Sequence, residues 1–223
     1  MGDTMLEQPE GPFALVNGQV ILPYEIVSGK AVVIEGARIL DVVDEGALSR
    51  EVRKLDVAGR YIAPGLIDIH NHGGMGYTFN DPTAEAFETI TRMNASRGVT
   101  ALLATVAAAS IPDLVQCLEF SRAWMQEPRP GAQILGVHLE GPYFNMAQKG
   151  AQDPANIRTP DDGTADRLLA HHDVIKIMTY APELPGALEL TARLAALGVI
   201  PAAGHSMARE EDVVAAMQAG LHH

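Results

Sequence analysis

The sequence predicts an α/β fold, a small all-β module followed by a run of parallel βα units, and three observations lead there. Residues 12–62 are short β-rich runs divided by tight turns, with no helical period of useful length. From Leu66 onward, apolar strand-like runs alternate with helical stretches, the rhythm of parallel βα units. Three helical stretches leave through one device: Arg97-Gly98-Val99, Leu197-Gly198-Val199 and Ala219-Gly220-Leu221. Glycine takes the left-handed conformation that closes a helix, and a strand begins at once.

Taken in order, residues 1–11 read as a loose tail, with Asp3, Glu7 and Glu10 and no apolar core of a secretory signal. Phe13–Val16, Gln19–Leu22, Ala31–Ile34 and Arg38–Val43 are the strands of the β module, broken by Asn17-Gly18 and Glu35-Gly36. Asn-Gly between apolar runs predicts a hairpin. Tail and module together are assigned residues 1–62, and the βα region residues 63–223. There, Leu66–His72 is a strand, Thr83–Arg97 a helix, Val99–Thr105 a strand and Ile111–Met125 a helix. Ala132–Glu140 is the third strand; a long loop to about Pro160 leads to a short helix over Asp161–His171. Val174–Tyr180, the helix Pro185–Leu197, Val199–His205 and the helix Arg209–Ala219 complete five units, and Leu221 begins a sixth. Trp124 and the methionines are assigned to helix or core packing.

Composition narrows the function. Lys and Arg number 16 against 28 Asp and Glu, a formal charge of −12 without any basic block. That lacks the phosphate-neutralising charge of nucleic-acid binding and the polybasic patch of a membrane surface. The longest apolar stretch, around Ala101–Ile111, is too short to span a bilayer. Cys117 is the only cysteine, which excludes an intrachain disulfide and a multi-cysteine zinc site. The cytoplasm is the expected compartment.

Candidate chemistry gathers at strand ends. Asp68, His70 and His72 alternate, so all three are expected on one face of the first barrel strand, with Gly73 and Gly74 following. Two imidazoles so placed can chelate a metal. His138 and Glu140 repeat the spacing on the third strand, and His205 stands at the same level on the fifth. A carboxylate among Ile134, Leu135, Val137 and Leu139 needs a cation or hydrogen-bond partner, either a metal or a side chain such as Lys149 or Arg158. Three strands each delivering His or Glu to the end where barrel active sites assemble favours a metal site and metal-assisted hydrolysis. His171-His172 reads as a solvated helix end. Gly73-Gly74-Met75-Gly76 lacks a P-loop's lysine, and no G-x-S-x-G elbow is present.

Ala63-Pro64-Gly65-Leu66-Ile67-Asp68-Ile69-His70-Asn71-His72 resembles the first-strand signature of the amidohydrolase superfamily. Gly136-Val137-His138-Leu139-Glu140-Gly141-Pro142-Tyr143, Lys149-Gly150-Ala151, Ala181-Pro182-Glu183 and Ala203-Gly204-His205-Ser206 resemble, more narrowly, the N-acetylglucosamine-6-phosphate deacetylases, from about residue 13 to the last. The resemblance implies a (β/α)8 barrel of TIM type, here strands one to five and the start of six, with a small N-terminal β-sandwich. It implies hydrolysis of the acetamide of N-acetylglucosamine 6-phosphate to glucosamine 6-phosphate and acetate. By motif matching, Glu140 and His205 would bind the main metal, and His70 and His72 a second. Ala151 would touch the sugar through its backbone, and Gln152 stands where some relatives carry His. The ion would be zinc or iron, one or two per chain, and the full-length protein a homodimer. The third main-metal ligand, a His in a Thr-His block, is expected a few residues after His223. The general-base Asp and the phosphate-gripping residues would lie further on. Other readings of the residues are a hydrolase of a different N-acyl sugar or cyclic amide, and an inactive piece that associates through its open barrel edge.

Overall fold

The computed structural model of the chain describes residues 11–223; apart from Gly11, the expected tail lies outside the described residues. The chain divides into two compact units between Pro64 and Gly65.

The first unit holds β1 (Phe13–Val16), β2 (Gln19–Ile21), β3 (Ile26–Ser28), β4 (Lys30–Glu35), β5 (Arg38–Asp44), β6 (Arg53–Asp56) and β7 (Tyr61–Ile62). One sheet runs β5-β4-β1-β6 and the other β3-β2-β7. Val20, Val32 and Ile62 form the buried apolar cluster, with Leu15, Ile34, Val42 and Val57 packed on it. Glu35-Gly36 makes the expected break: Glu35 pairs with Arg38, and Gly36 has φ of 55°.

The hairpin expected at Asn17-Gly18 does not form. β1 pairs with β4 and β6, whereas β2 pairs with β3 and β7. A type I′ turn needs positive φ at both central residues, and here only Asn17 has it, at 55°. Asn17 Nδ2 instead donates to Asp56 Oδ1 at 2.8 Å, and Gly59 N donates to Asn17 O. A Cβ on Gly18 would lie 2.6 Å from Ile62 Cδ1. The dipeptide carries the chain from one sheet to the other.

The second unit holds β8 (Leu66–Asn71), β9 (Gly73–Gly74), β10 (Tyr77–Thr78), α1 (Ala84–Ala95), β11 (Val99–Val106) and α2 (Ile111–Trp124). It continues with β12 (Gln133–Glu140), α3 (Ala165–Leu169), β13 (Ile175–Tyr180), α4 (Ala187–Ala196), β14 (Ile200–Ala203) and α5 (Glu210–Ala219). Thr83 and Ser110 cap α1 and α2, their hydroxyls accepting from Ala86 N and Asp113 N. Gly98, Gly198 and Gly220 close α1, α4 and α5 with φ of 86°, 74° and 114°.

The parallel sheet runs β14-β13-β12-β11-β8, so every unit adds its strand on the same side. This is half of a (β/α)8 barrel. Phe79, Phe87, Leu102, Leu118 and Trp124 belong to the main buried core, which includes residues of α1, α2 and β11. Leu103, Ile177 and Ala202 form a separate cluster; Leu103 follows Leu102 and so faces the other side of the sheet. The β8 edge leaves Leu66, Ile67 and Ile69 exposed. Beyond α5 the chain turns back beside β14, where His222 N and His223 N donate to Pro201 O and Ala203 N donates to His223 O. A sixth strand position is thereby begun.

The helix expected over Asp161–His171 is only Ala165–Leu169, because Gly163 at φ 80° separates it from a 3-10 turn over Pro160–Asp162. Trp124 and Met178 are buried, but Met75, Met146, Met207 and Met217 are exposed, lying in loops or on the outer face of α5. No helix among the described residues is long and apolar enough to cross a membrane.

Candidate metal centre

Three strands deliver the site. His70 lies near the end of β8 and His72 just past it, Glu140 is the last residue of β12, and His205 follows β14 by two residues. All stand at the carboxyl end of the parallel sheet, where each strand hands over to its loop. Glu140 is the centre. Its Oε1 lies 3.2 Å from His70 Nε2 and 3.3 Å from His205 Nε2; its Oε2 lies 3.2 Å from His72 Nε2. His70 Nε2 and His72 Nε2 are themselves 3.2 Å apart. His70, His72 and Glu140 offer ligand atoms all within 4.8 Å of one another.

Glu140 is 5% exposed. Burial by itself would push its carboxyl up, but the hydrogen bond from His72 and the charges of His72, His70 and His205 outweigh it and hold the group at about 2. His72 is raised in return, chiefly by its hydrogen bond to Glu140. The side-chain alternatives do not supply the counter-charge: Lys149 Nζ donates to the Gly150 and Gln152 carbonyls, and Arg158 pairs with Asp162. Only imidazoles and one amide surround this carboxylate among its described partners. That amide is Gln152, whose Nε2 donates to Glu140 Oε2 at 2.9 Å while its Oε1 accepts from Ala108 N at 3.0 Å. Both ends are engaged, so the amide orientation is fixed and one side of Oε2 is taken.

His205 is a non-glycine residue at φ 51°. Its Nδ1 donates to Gln148 O at 2.8 Å, which leaves Nε2 facing Glu140. Phe144 packs on the ring with centroids 4.3 Å apart, and Asn145 N donates to His205 O. None of these supports was expected from the sequence. A backbone carbonyl leaves no residue-type signal, and only proximity to the His-Leu-Glu-Gly-Pro block marked the loop.

Other expected residues stand apart. His138 is buried with both nitrogens engaged: Nδ1 donates to Ile69 O at 2.9 Å, and Nε2 accepts from Thr179 Oγ1 at 2.7 Å. Burial lowers its proton affinity, so it is a neutral strut between strands rather than a free donor. Asp68 does not join His70 and His72. Asp68 and Asn71 pair with Leu102 and Ala104, an extra residue on β8 that breaks the alternation. Its carboxylate instead accepts from His70 N and Asn71 Nδ2. Ala151 is a central residue of the turn that Gln152 N closes by donating to Lys149 O. His171 Nδ1 meets Arg122 at 3.1 Å, so it is a surface partner of α2 rather than free in solvent.

Three imidazole nitrogens converging on one buried carboxylate, without an ammonium or guanidinium partner among the described residues, suit a divalent cation of the zinc and iron class. Parallel βα units that gather His and Glu at their carboxyl ends define a partial (β/α) barrel with a candidate metal centre. More specifically, residues 61–223 match the model of the amidohydrolase family, and the chain belongs to that family. It is 31% identical over 209 residues to N-acetylglucosamine-6-phosphate deacetylase of Haemophilus influenzae, covering 93% of this chain and 54% of that protein. It is 33% identical over 160 residues to N-acetylgalactosamine-6-phosphate deacetylase of Escherichia coli O157:H7, covering 71% and 42%. A crystal structure of N-acetylglucosamine-6-phosphate deacetylase from Pasteurella multocida superposes with a TM-score of 0.87 at 26% identity, over 94% of this chain and 55% of that one. The chain spans about half the length of the curated relatives it matches.

Proposed function

We propose that this chain carries the metal-binding half of a deacetylase that hydrolyses the acetamide of N-acetylglucosamine 6-phosphate, giving glucosamine 6-phosphate and acetate. The observation that carries the reading is the convergence of His70, His72 and His205 on buried Glu140. These four residues would hold one or two divalent ions, zinc or iron, with Glu140 between the His70–His72 pair and His205. Such an ion supplies Lewis-acid polarisation of the amide carbonyl and a water acidic enough to attack near neutral pH. The chain's own residues prepare the place. Glu140 provides the negative charge, Gln152 holds the orientation of its Oε2, and the Gln148 carbonyl keeps the His205 Nε2 lone pair facing inward. Phe144 shields one face of that imidazole from water.

Ala151 and Gln152 would line the sugar, and the general-base Asp, the remaining His ligand and the phosphate contacts would come from sequence beyond residue 223. Dimerisation and a cytoplasmic site belong to the same reading. The names of the relatives support an amino-sugar phosphate as substrate, and the galactosamine relative makes the sugar epimer the open choice. The test is acetate release by the full-length protein from the 6-phosphates of N-acetylglucosamine and N-acetylgalactosamine and from unphosphorylated N-acetylglucosamine. Turnover fastest on N-acetylglucosamine 6-phosphate is expected. A preference for the galacto sugar would move the assignment to the epimer, and indifference to the phosphate would overturn it.

A further inference from the structure

The Ala181-Pro182-Glu183 block has no part in the reading above, yet its carboxylate is the most heavily bonded group beside the site. Glu183 Oε1 accepts from Met207 N at 2.6 Å and from Asn145 Nδ2 at 3.0 Å, and its Oε2 accepts from Ser206 Oγ at 2.6 Å. Two of those donors directly follow His205. The third belongs to Asn145, whose backbone N–H donates to His205 O. Asn145 also opens the turn over Met146–Gln148, so the same loop supplies the Gln148 carbonyl that receives His205 Nδ1–H. The bonds therefore close a ring through Glu183, Met207, His205 and Asn145. The enclosed residue has the left-handed backbone that side-chain-bearing residues avoid. Gly204, just before it, passes so close to β13 that a Cβ there would lie 2.5 Å from Thr179 Cγ2.

We propose that Glu183 is a positioning residue that locks His205 into its ligand geometry by tying the loop after β12 to the loop after β14. The inference rests on the metal-centre reading. Outer partners of this kind set metal affinity by about 10- to 100-fold without touching the ion.

The test is titration of the metal-free chain with Co(II) alone, in the parent, Glu183→Ala, His205→Ala and the double variant. Glu183→Ala is expected to weaken Co(II) binding by about 10- to 100-fold in the parent and by less than about twofold once His205 is gone. The same loss in both backgrounds, or none in the parent, would overturn the proposal. If Glu183→Ala does not fold, Glu183→Gln serves in the same cycle, since its carbonyl still accepts from Met207 N and Asn145; a smaller His205-dependent loss is expected. Imidazole 15N spectra of the metal-free chain give a readout without the ion. The His205 signals should shift in the Glu183 variants while those of His70 and His72 stay. Equal shifts at all three would overturn the positioning role. A parent that binds no Co(II) but shows the His205-specific shift would instead overturn the metal reading alone.

Discussion

Lowering the pH of the metal-free chain should remove a definable part of its stability through Glu140. This carboxylate titrates near 4.5 when unfolded and at about 2 when folded. A depressed folded value means stability that is fully present above 4.5 and lost as pH falls towards 2. With those two values, linkage gives a contribution of about 3 kcal/mol at pH 5 and roughly 1.4 kcal/mol at pH 3. The loss between them is therefore about 2 kcal/mol. The group is 5% exposed, so solvent screening takes little from this. The assay is urea unfolding with a chelator present, parent against Glu140→Gln, at pH 5 and pH 3. The gap between the two proteins should narrow by about 2 kcal/mol on acidification. Parallel behaviour would refute the idea that the histidines hold Glu140 ionised.

Three further outcomes follow from the same structure. Phe87 is fully buried with its ring centroid 5.0 Å from Phe79, 4.9 Å from Phe120 and 5.5 Å from Trp124. Phe87→Ala should destabilise the second unit by about 3 to 5 kcal/mol, followed through the fluorescence of Trp124, the chain's single tryptophan. Cys117 is 1% exposed and burial pushes its thiol to about 11, so thiol reagents at pH 8 should label it only after unfolding. Rapid labelling of the folded chain would contradict its placement. Gln152→Leu removes the donor to Glu140 and the acceptor of Ala108 N, and should lower stability at pH 7 by about 2 to 3 kcal/mol in urea melts. An unchanged midpoint would show that neither bond matters.

The legible parts of this molecule were those where residue type itself carries the physics. Gly98, Gly198 and Gly220 announced helix exits because few other residues take positive φ there, and all three do so. The His70–His72 spacing and a carboxylate in an apolar strand pointed to one strand-end cluster, and the structure gathers the two exposed imidazoles around the buried Glu140. What depends on pairing register was not legible. Asn17-Gly18 looks like a hairpin turn until the strands beside it choose other partners. Asp68 looks aligned with His70 until an extra residue on β8 turns it aside. By residue type alone His138 and His205 are both strand-end histidines; the structure ties His138 to Ile69 O and Thr179 Oγ1 and turns His205 Nε2 to Glu140. The Glu183 network joins residues 38, 23 and 24 positions away, a separation that local pattern cannot reach.

His70, His72, Glu140 and His205 are proposed to form a divalent metal site. Metal content after zinc loading and gel filtration tests it most directly, in the parent and in Glu140→Gln. One or two zinc ions should be retained per parent chain and far less than one in the variant. A parent that elutes without zinc, or a Glu140→Gln chain that retains as much as the parent, would contradict it.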